Sequence, residues 1–182
     1  MLVFEIVLLV LTFLMGASIV WYTLILGISP MPSSKKARQA MIQLSCDTGT
    51  GPIFELGSGW GNLLIPLALE YPERKLVGYE LSFLPWLTTR ALKKLHGLDN
   101  IQIHRKNFLH ADLSSASVIC CYLVPSVMLQ VENKCKAKNG KLEFLISNTF
   151  ALPLHQAVTT LTLNDFYRSP VYLYKFNGPL AD

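Results

Sequence analysis

The sequence predicts an α/β fold in which a doubly wound sheet of seven strands, the last antiparallel, follows one membrane-spanning helix. Three observations carry this expectation. Short apolar runs alternate with helical patterns between residues 53 and 136, as they do where parallel strands are joined through helices. The first of those runs, Ile53-Phe54-Glu55-Leu56, passes through three glycines at alternate positions, Gly57, Gly59 and Gly61, before a helical stretch begins. Near the N-terminus, residues 6–28 contain no charged side chain.

That uncharged run is long enough, at roughly 1.5 Å per residue, to cross a hydrocarbon core about 30 Å thick. A secretory signal peptide would place a basic stretch before a shorter apolar core, yet no lysine or arginine precedes residue 35. A buried soluble helix of this length would normally show a polar face. Trp21 and Tyr22 suit an interface, and Lys35, Lys36 and Arg38 follow the run directly. The positive-inside rule then places the remainder in the cytoplasm. The expected organisation is a transmembrane anchor over residues 1–29 and a domain over 30–182: a single-pass membrane protein with that domain cytoplasmic.

The chain of 182 residues suffices for one such domain, and its 51% apolar content is raised by the N-terminal run. A net charge of +4 suits an anionic membrane surface and does not call for nucleic acid. Cys46, Cys120, Cys121 and Cys135 make neither a C-x-x-C pair nor a zinc-ligand spacing, so they read as reduced thiols. His96, His104, His110 and His155 also lack metal-ligand spacing, so no metal is expected.

After a linker with Pro30 and Pro32, Ser33 or Ser34 can cap a helix over residues 35–45, with Ala37, Ala40, Met41 and Leu44 as its apolar stripe. The strand at 53–56 and the glycine turn lead into a helix over 62–70, where Pro66 is tolerated only near the first turn. Residues 75–80 form the second strand and end on Glu80. The next helix, 83–95, is expected to bury Leu84, Leu87, Ala91 and Leu95, and Gly97 stops it. A third strand over 101–106 runs into Asn107 and Phe108. The run at 117–123 is almost wholly apolar, as a central strand buried on both faces would be. A helix opening at Pro125 follows, then a basic turn over 134–140. Strands at 141–150, 158–163 and 171–176 complete the sheet, the last two as a hairpin.

A strand that stops at a glycine turn before a helix builds a nucleotide crevice, because a Cβ would block positive φ angles and hold a ligand off the backbone. A carboxylate at the tip of the second strand, about twenty residues on, can accept both ribose hydroxyls of an adenosine group. Glu80 stands there. The glycines are one residue too closely spaced for the G-x-G-x-x-G of dinucleotide sites. With Glu55 the turn reads E-x-G-x-G-x-G, which resembles motif I of the class I, seven-strand, Rossmann-like methyltransferases that use S-adenosyl-L-methionine (SAM).

The resemblance narrows with four further pieces: Val77-Gly-Tyr-Glu-Leu81 with Pro85-Trp86-Leu87, Arg105-Lys106 before Asn107, Leu123-Val-Pro-Ser-Val127, and Leu152-Pro153. Together with the N-terminal run they are similar to the membrane-anchored protein-lysine methyltransferases acting on the ATP synthase c-subunit and on the adenine nucleotide translocase. The resemblance implies SAM as cofactor, with Glu55, Gly57, Gly59 and Gly61 at its methionine and ribose part, Glu80 on the ribose, and Asn107 with Phe108 on the adenine. Three positions depart from the pattern: Asn107 stands where many relatives have an acid, Trp60 where aspartate is common, and Phe83 and Leu84 are additional.

Methyl transfer from a sulfonium is an in-line displacement and needs a neutral, desolvated nucleophile positioned near the methyl. A lysine amine with an ordinary pKa of about 10.4 must therefore lose its proton, which an apolar channel favours, and aromatic walls tolerate the cationic product. Tyr122 and Phe150, at the ends of the fourth and fifth strands, are the candidates for that channel. His155 could assist deprotonation. A protein substrate held at the membrane is the expected partner. Methylation of a lipid or small molecule at the bilayer, and a non-catalytic SAM-fold scaffold, are the competing readings. Nucleobase methylation is disfavoured because Tyr122-Leu-Val-Pro125 lacks the Asn-Pro-Pro-Tyr type of loop used on flipped bases.

Overall fold

The computed structural model describes residues 1, 4–10, 12–13, 16–17, 20, 33–136 and 141–176. Among these, seven strands form one sheet: β1 (Ile53–Leu56), β2 (Leu76–Tyr79), β3 (Ile101–His104), β4 (Val118–Cys121), β5 (Phe144–Asn148), β6 (Thr159–Thr162) and β7 (Pro170–Lys175), in the order β3-β2-β1-β4-β5-β7-β6. The first five pair in parallel, and β7 runs antiparallel to both β5 and β6. The expected doubly wound sheet with an antiparallel seventh strand is thus observed, its strands somewhat shorter at the ends than the apolar runs.

Helices α1 (Lys35–Ser45), α2 (Leu64–Glu70) and α3 (Phe83–Leu95) lie on one face, and α4 (Pro125–Lys136) on the other. Alternation along β1 and β4 divides the core accordingly: Ile53, Val118 and Cys120 pack with Met41, Leu64 and Leu67, while Phe54, Leu56, Ile119 and Cys121 pack with Met128 and Val131. The Ser34 hydroxyl caps α1 by accepting the Ala37 amide at 3.1 Å, and α1 buries the expected stripe. Pro66 falls in the first turn of α2, where its missing amide costs little.

Two expectations are corrected. Among the described residues no helix is long and apolar enough to cross a membrane. The longest described helix has 13 residues, about 20 Å at 1.5 Å per residue, against a hydrocarbon core of about 30 Å. The single-pass anchor, and with it the membrane localisation, is therefore not supported. Of the expected span, residues 2–3, 11, 14–15, 18–19 and 21–29 lie outside the described residues, as does most of the linker, through residue 32.

The second correction concerns α3. It buries Pro85 and Thr89, whereas Leu87 is 43% and Leu95 79% exposed. A threonine with a specific seat under the glycine turn turns the helix against its apolar stripe. At the other end of the sheet, buried Arg74 donates from Nε to the Gly51 carbonyl at 2.8 Å and from Nη1 to Thr48 Oγ1 at 3.2 Å, tying the loop before β1 to the loop before β2.

Candidate functional site

The strand order reverses between β1 and β4, and a doubly wound sheet takes its ligand in the crevice outside the carboxyl ends at that point. The turn after β1 sits there. Gly57, Gly59 and Gly61 have φ of 76°, 52° and 78°, all left-handed. A Cβ added at Gly59 would meet no protein atom within 4 Å, so this stretch of backbone faces open space. A Cβ at Gly61 would lie 2.9 Å from both Cγ2 and Oγ1 of Thr89. Helix α3 is seated directly on the turn, and Thr89 Oγ1 donates to the Gly59 carbonyl at 3.0 Å.

Glu80 follows β2 and closes the turn from the other side. Its Oε2 accepts the Gly59 amide at 2.8 Å and its Oε1 the Ser82 amide at 2.7 Å, and the residue is 8% exposed. Each carboxylate oxygen carries two lone pairs, so each keeps one acceptor position beyond those bonds. The amides of Gly57 and Ser58 both donate to the Tyr79 carbonyl at 2.9 Å, which fixes the turn to the tip of β2.

Glu55 lies beneath the turn, on the side of β1 that faces α1 and α2, and is 6% exposed. Burial pushes its carboxyl well above the usual carboxylate range, the Glu80 charge adds to this, and the Leu64 amide at the start of α2 pulls the other way. One of its oxygens has no hydrogen-bond partner in the protein. Asn107 accepts the Leu109 amide on Oδ1 at 2.9 Å and caps a single 3-10 turn, Phe108–His110, which leaves its NH2 group as a donor. Phe108 is half-buried against the α4-side core.

Tyr122 and Phe150 meet. Their ring centroids are 6.2 Å apart with planes at 15°, and both are half-exposed. Phe150 is aimed by a feature with no sequence signal. Thr149 has φ of 66°, and the Phe150 amide turns back to the Asn148 carbonyl at 2.7 Å, a three-residue turn that L side chains rarely adopt. The Thr149 amide donates to the Pro170 carbonyl at 2.8 Å and Ser147 Oγ to the Phe150 carbonyl at 2.6 Å, so neighbouring strands hold the strain. Thr89 was missed for a different reason: apolar periodicity counts leucines and ignores a hydroxyl that packs.

His155 does not join this group. Its Nδ1 lies 2.5 Å from Oε1 of Glu132 in the body of α4, and its ring packs on Phe176 at 4.8 Å, on the strap between β5 and β6. Glu132 is fully buried and also takes the Leu154 amide at 3.0 Å and Lys136 Nζ at 3.4 Å. Burial opposes its ionisation, but the bonds from His155, Leu154 and Lys136 outweigh it and hold the carboxyl below its ordinary value. A group depressed on folding stabilises the fold above its unfolded pKa, about 4.3, and loses that contribution as pH falls through the lower folded value. Urea unfolding as a function of pH should therefore show a loss of stability below about pH 4.3 that is smaller in Glu132→Gln. Equal acid losses in both proteins would remove Glu132 as its source.

Open backbone at Gly59 beside a fixed carboxylate fits an adenosine-bearing cofactor, which needs close approach to the turn and acceptors for two hydroxyls. Among the described residues no cluster of three or more histidine, cysteine or acidic side chains could hold a metal ion. The family model described as the ANTKMT methyltransferase domain matches residues 55–159. The adenine nucleotide translocase lysine N-methyltransferase of Mus musculus is 31% identical over 131 residues, 69% of this chain and 55% of the mouse protein, so the chain spans about half the length of that curated relative. Among solved structures, an RNA methyltransferase from Salinibacter ruber in complex with S-adenosyl-L-homocysteine has a TM-score of 0.72 at 24% identity, covering 84% of this chain and 98% of that one. The tRNA methyltransferase TrmK from B. subtilis has a TM-score of 0.62 at 14% identity, covering 81% and 67%. At these identities the structural likeness shows the fold alone. The match over residues 55–159, on a seven-stranded sheet with this glycine turn, makes the chain a member of the ANTKMT methyltransferase domain family, a class I methyltransferase that uses SAM.

Proposed function

We propose that this protein transfers methyl groups to a lysine side chain of a protein. The observation that carries the reading is the near-parallel pair of rings, Tyr122 and Phe150, at the carboxyl ends of β4 and β5, beside the crevice. Stacked together, the two rings make an apolar wall along which an aliphatic side chain can lie, and their exposed faces tolerate the cationic methylated product. The relationship to the mouse lysine N-methyltransferase supports the same acceptor.

In this reading Gly57, Gly59 and Gly61 let the cofactor approach the backbone, Glu80 accepts its ribose hydroxyls, and the Asn107 NH2 group and the Phe108 ring receive the adenine. Glu55 acts from below, as the buried carboxyl on which the turn and the start of α2 rest. SAM, when bound, supplies a methyl on a sulfonium, the electrophile for in-line displacement. The protein must present a neutral amine to it. Tyr122 and Phe150 do so by removing water from the ammonium, which disfavours its charged form, and by holding the amine on line. His155 is committed to Glu132, so the amine proton leaves to water at the cleft mouth.

The test is to incubate the full chain with methyl-labelled SAM and a cell extract, then locate the label. It should enter protein on lysine as increments of one methyl group. Phe150→Ala should slow this about tenfold, the size of a lost cation–π contact, with cofactor affinity unchanged. Label recovered only in lipid or small molecules would reject the protein acceptor.

A further inference from the structure

The outer edge of β3, which no strand among the described residues pairs with, forms the floor of a groove outside the cofactor crevice. In the parallel pairing with β2, the Leu76 amide donates to the Asn100 carbonyl at 2.9 Å and the Glu80 amide to the His104 carbonyl at 3.0 Å. Alternation therefore gives Asn100, Gln102 and His104 to the sheet and turns the backbone N–H and C=O of Ile103 outward, along with the C=O of Ile101. Above this edge is a groove of about 530 Å³ walled by Trp86, Arg90, Lys93 and Lys94 of α3, with Gln102 and His104 on its other side.

The groove is basic. Asp99 is the one carboxylate in its lining, and Arg90, Lys93 and Lys94 form no ion pair with a carboxylate among the described residues. The Trp86 indole Nε1 is buried without a hydrogen-bond partner, a donor that proteins rarely leave unmet. Arg90 lies over that indole at 5.4 Å and covers one of its faces against base stacking.

We propose that this groove takes an extended acidic segment of a partner protein as an added strand on the edge of β3. Outward backbone groups on an edge strand recruit an extended chain, and pockets for alternate side chains select its sequence. Spacing agrees with charge. Arg90 and Lys94 stand one helical turn apart, about 6 Å, and alternate residues of a strand repeat at about 6.6 Å. Carboxylates at every second position of the added strand thus meet successive cations of α3, while the intervening side chains face Gln102 and His104. Docking here is independent of which nucleophile the crevice methylates.

Fluorescence anisotropy on the full chain tests this, with a labelled eight-residue peptide alternating Glu and Val, its Lys–Val counterpart and a single-stranded DNA oligonucleotide as probes. The Glu–Val peptide should bind and the Lys–Val peptide should not. Arg90→Glu, Lys93→Glu and Lys94→Glu together should weaken binding at least tenfold while SAM affinity, which reports folding, stays unchanged. If the triple variant does not fold, Lys94→Glu alone should weaken binding severalfold. Hydrogen exchange at the Ile103 amide should slow at least tenfold on peptide addition. Equal binding of the two peptides, no binding, indifference to charge reversal, or preference for the oligonucleotide without protection of Ile103 would each overturn the proposal.

Discussion

Glu80→Gln is expected to weaken SAM binding by about a hundredfold or more. A hydrogen bond to a charged group contributes about 1.5–3 kcal/mol, and two ribose hydroxyls on one carboxylate correspond to at least two decades of affinity. The fold responds as well. Glutamine offers one acceptor oxygen and one NH2 group, whereas both oxygens of Glu80 accept backbone amides, from Gly59 and Ser82. One of those buried donors then faces another donor, so unfolding should be easier by about 1–3 kcal/mol. Calorimetry and thermal unfolding on the same preparation separate the two effects. A lower melting temperature with SAM affinity intact would mean that Glu80 serves only to lock the turn.

Gly61→Ala should be among the most destabilising single changes in the chain, by about 2–4 kcal/mol. A left-handed residue with a Cβ costs about 1–2 kcal/mol, and the new methyl would stand 2.9 Å from two atoms of Thr89 and 3.3 Å from Ile65 Cγ1. Thr89 cannot simply rotate away, because its hydroxyl is bonded at the turn. Adding Thr89→Ser removes Cγ2 and keeps the hydroxyl, so the double variant should recover part of the loss, a coupling that a double-mutant cycle reads directly. Additive losses would show that the backbone conformation alone sets the cost. Gly59→Ala is the informative contrast, since its Cβ meets open space.

Much of this was legible in the chain because the physics involved is local. Alternating apolar runs give strands, three glycines at alternate positions give a left-handed turn, and an acid at the end of the next strand is brought beside that turn by parallel pairing of β1 with β2. Legibility stopped where a residue's role depends on what comes to meet it. The stripe Leu84, Leu87, Ala91 and Leu95 predicted the wrong face of α3 because the seat of Thr89 against Gly61 is a fit between elements. An apolar run of residues 6–28 likewise predicted a span that the described helices do not provide. Phe150 could be named from its place at a strand end, but its orientation arises from a strained turn at Thr149 that no turn-forming residue announces.

The sequence by itself determined the sheet, the glycine turn and the carboxylate beside it, since strand period, φ freedom and loop length are properties of neighbouring residues. Only the tertiary structure decided that Glu55 lies beneath the turn, that His155 belongs to Glu132, and that Tyr122 and Phe150 face one another. The last two are choices of partner across more than twenty residues of chain, made by which surfaces can pack at once and keep their buried polar groups bonded.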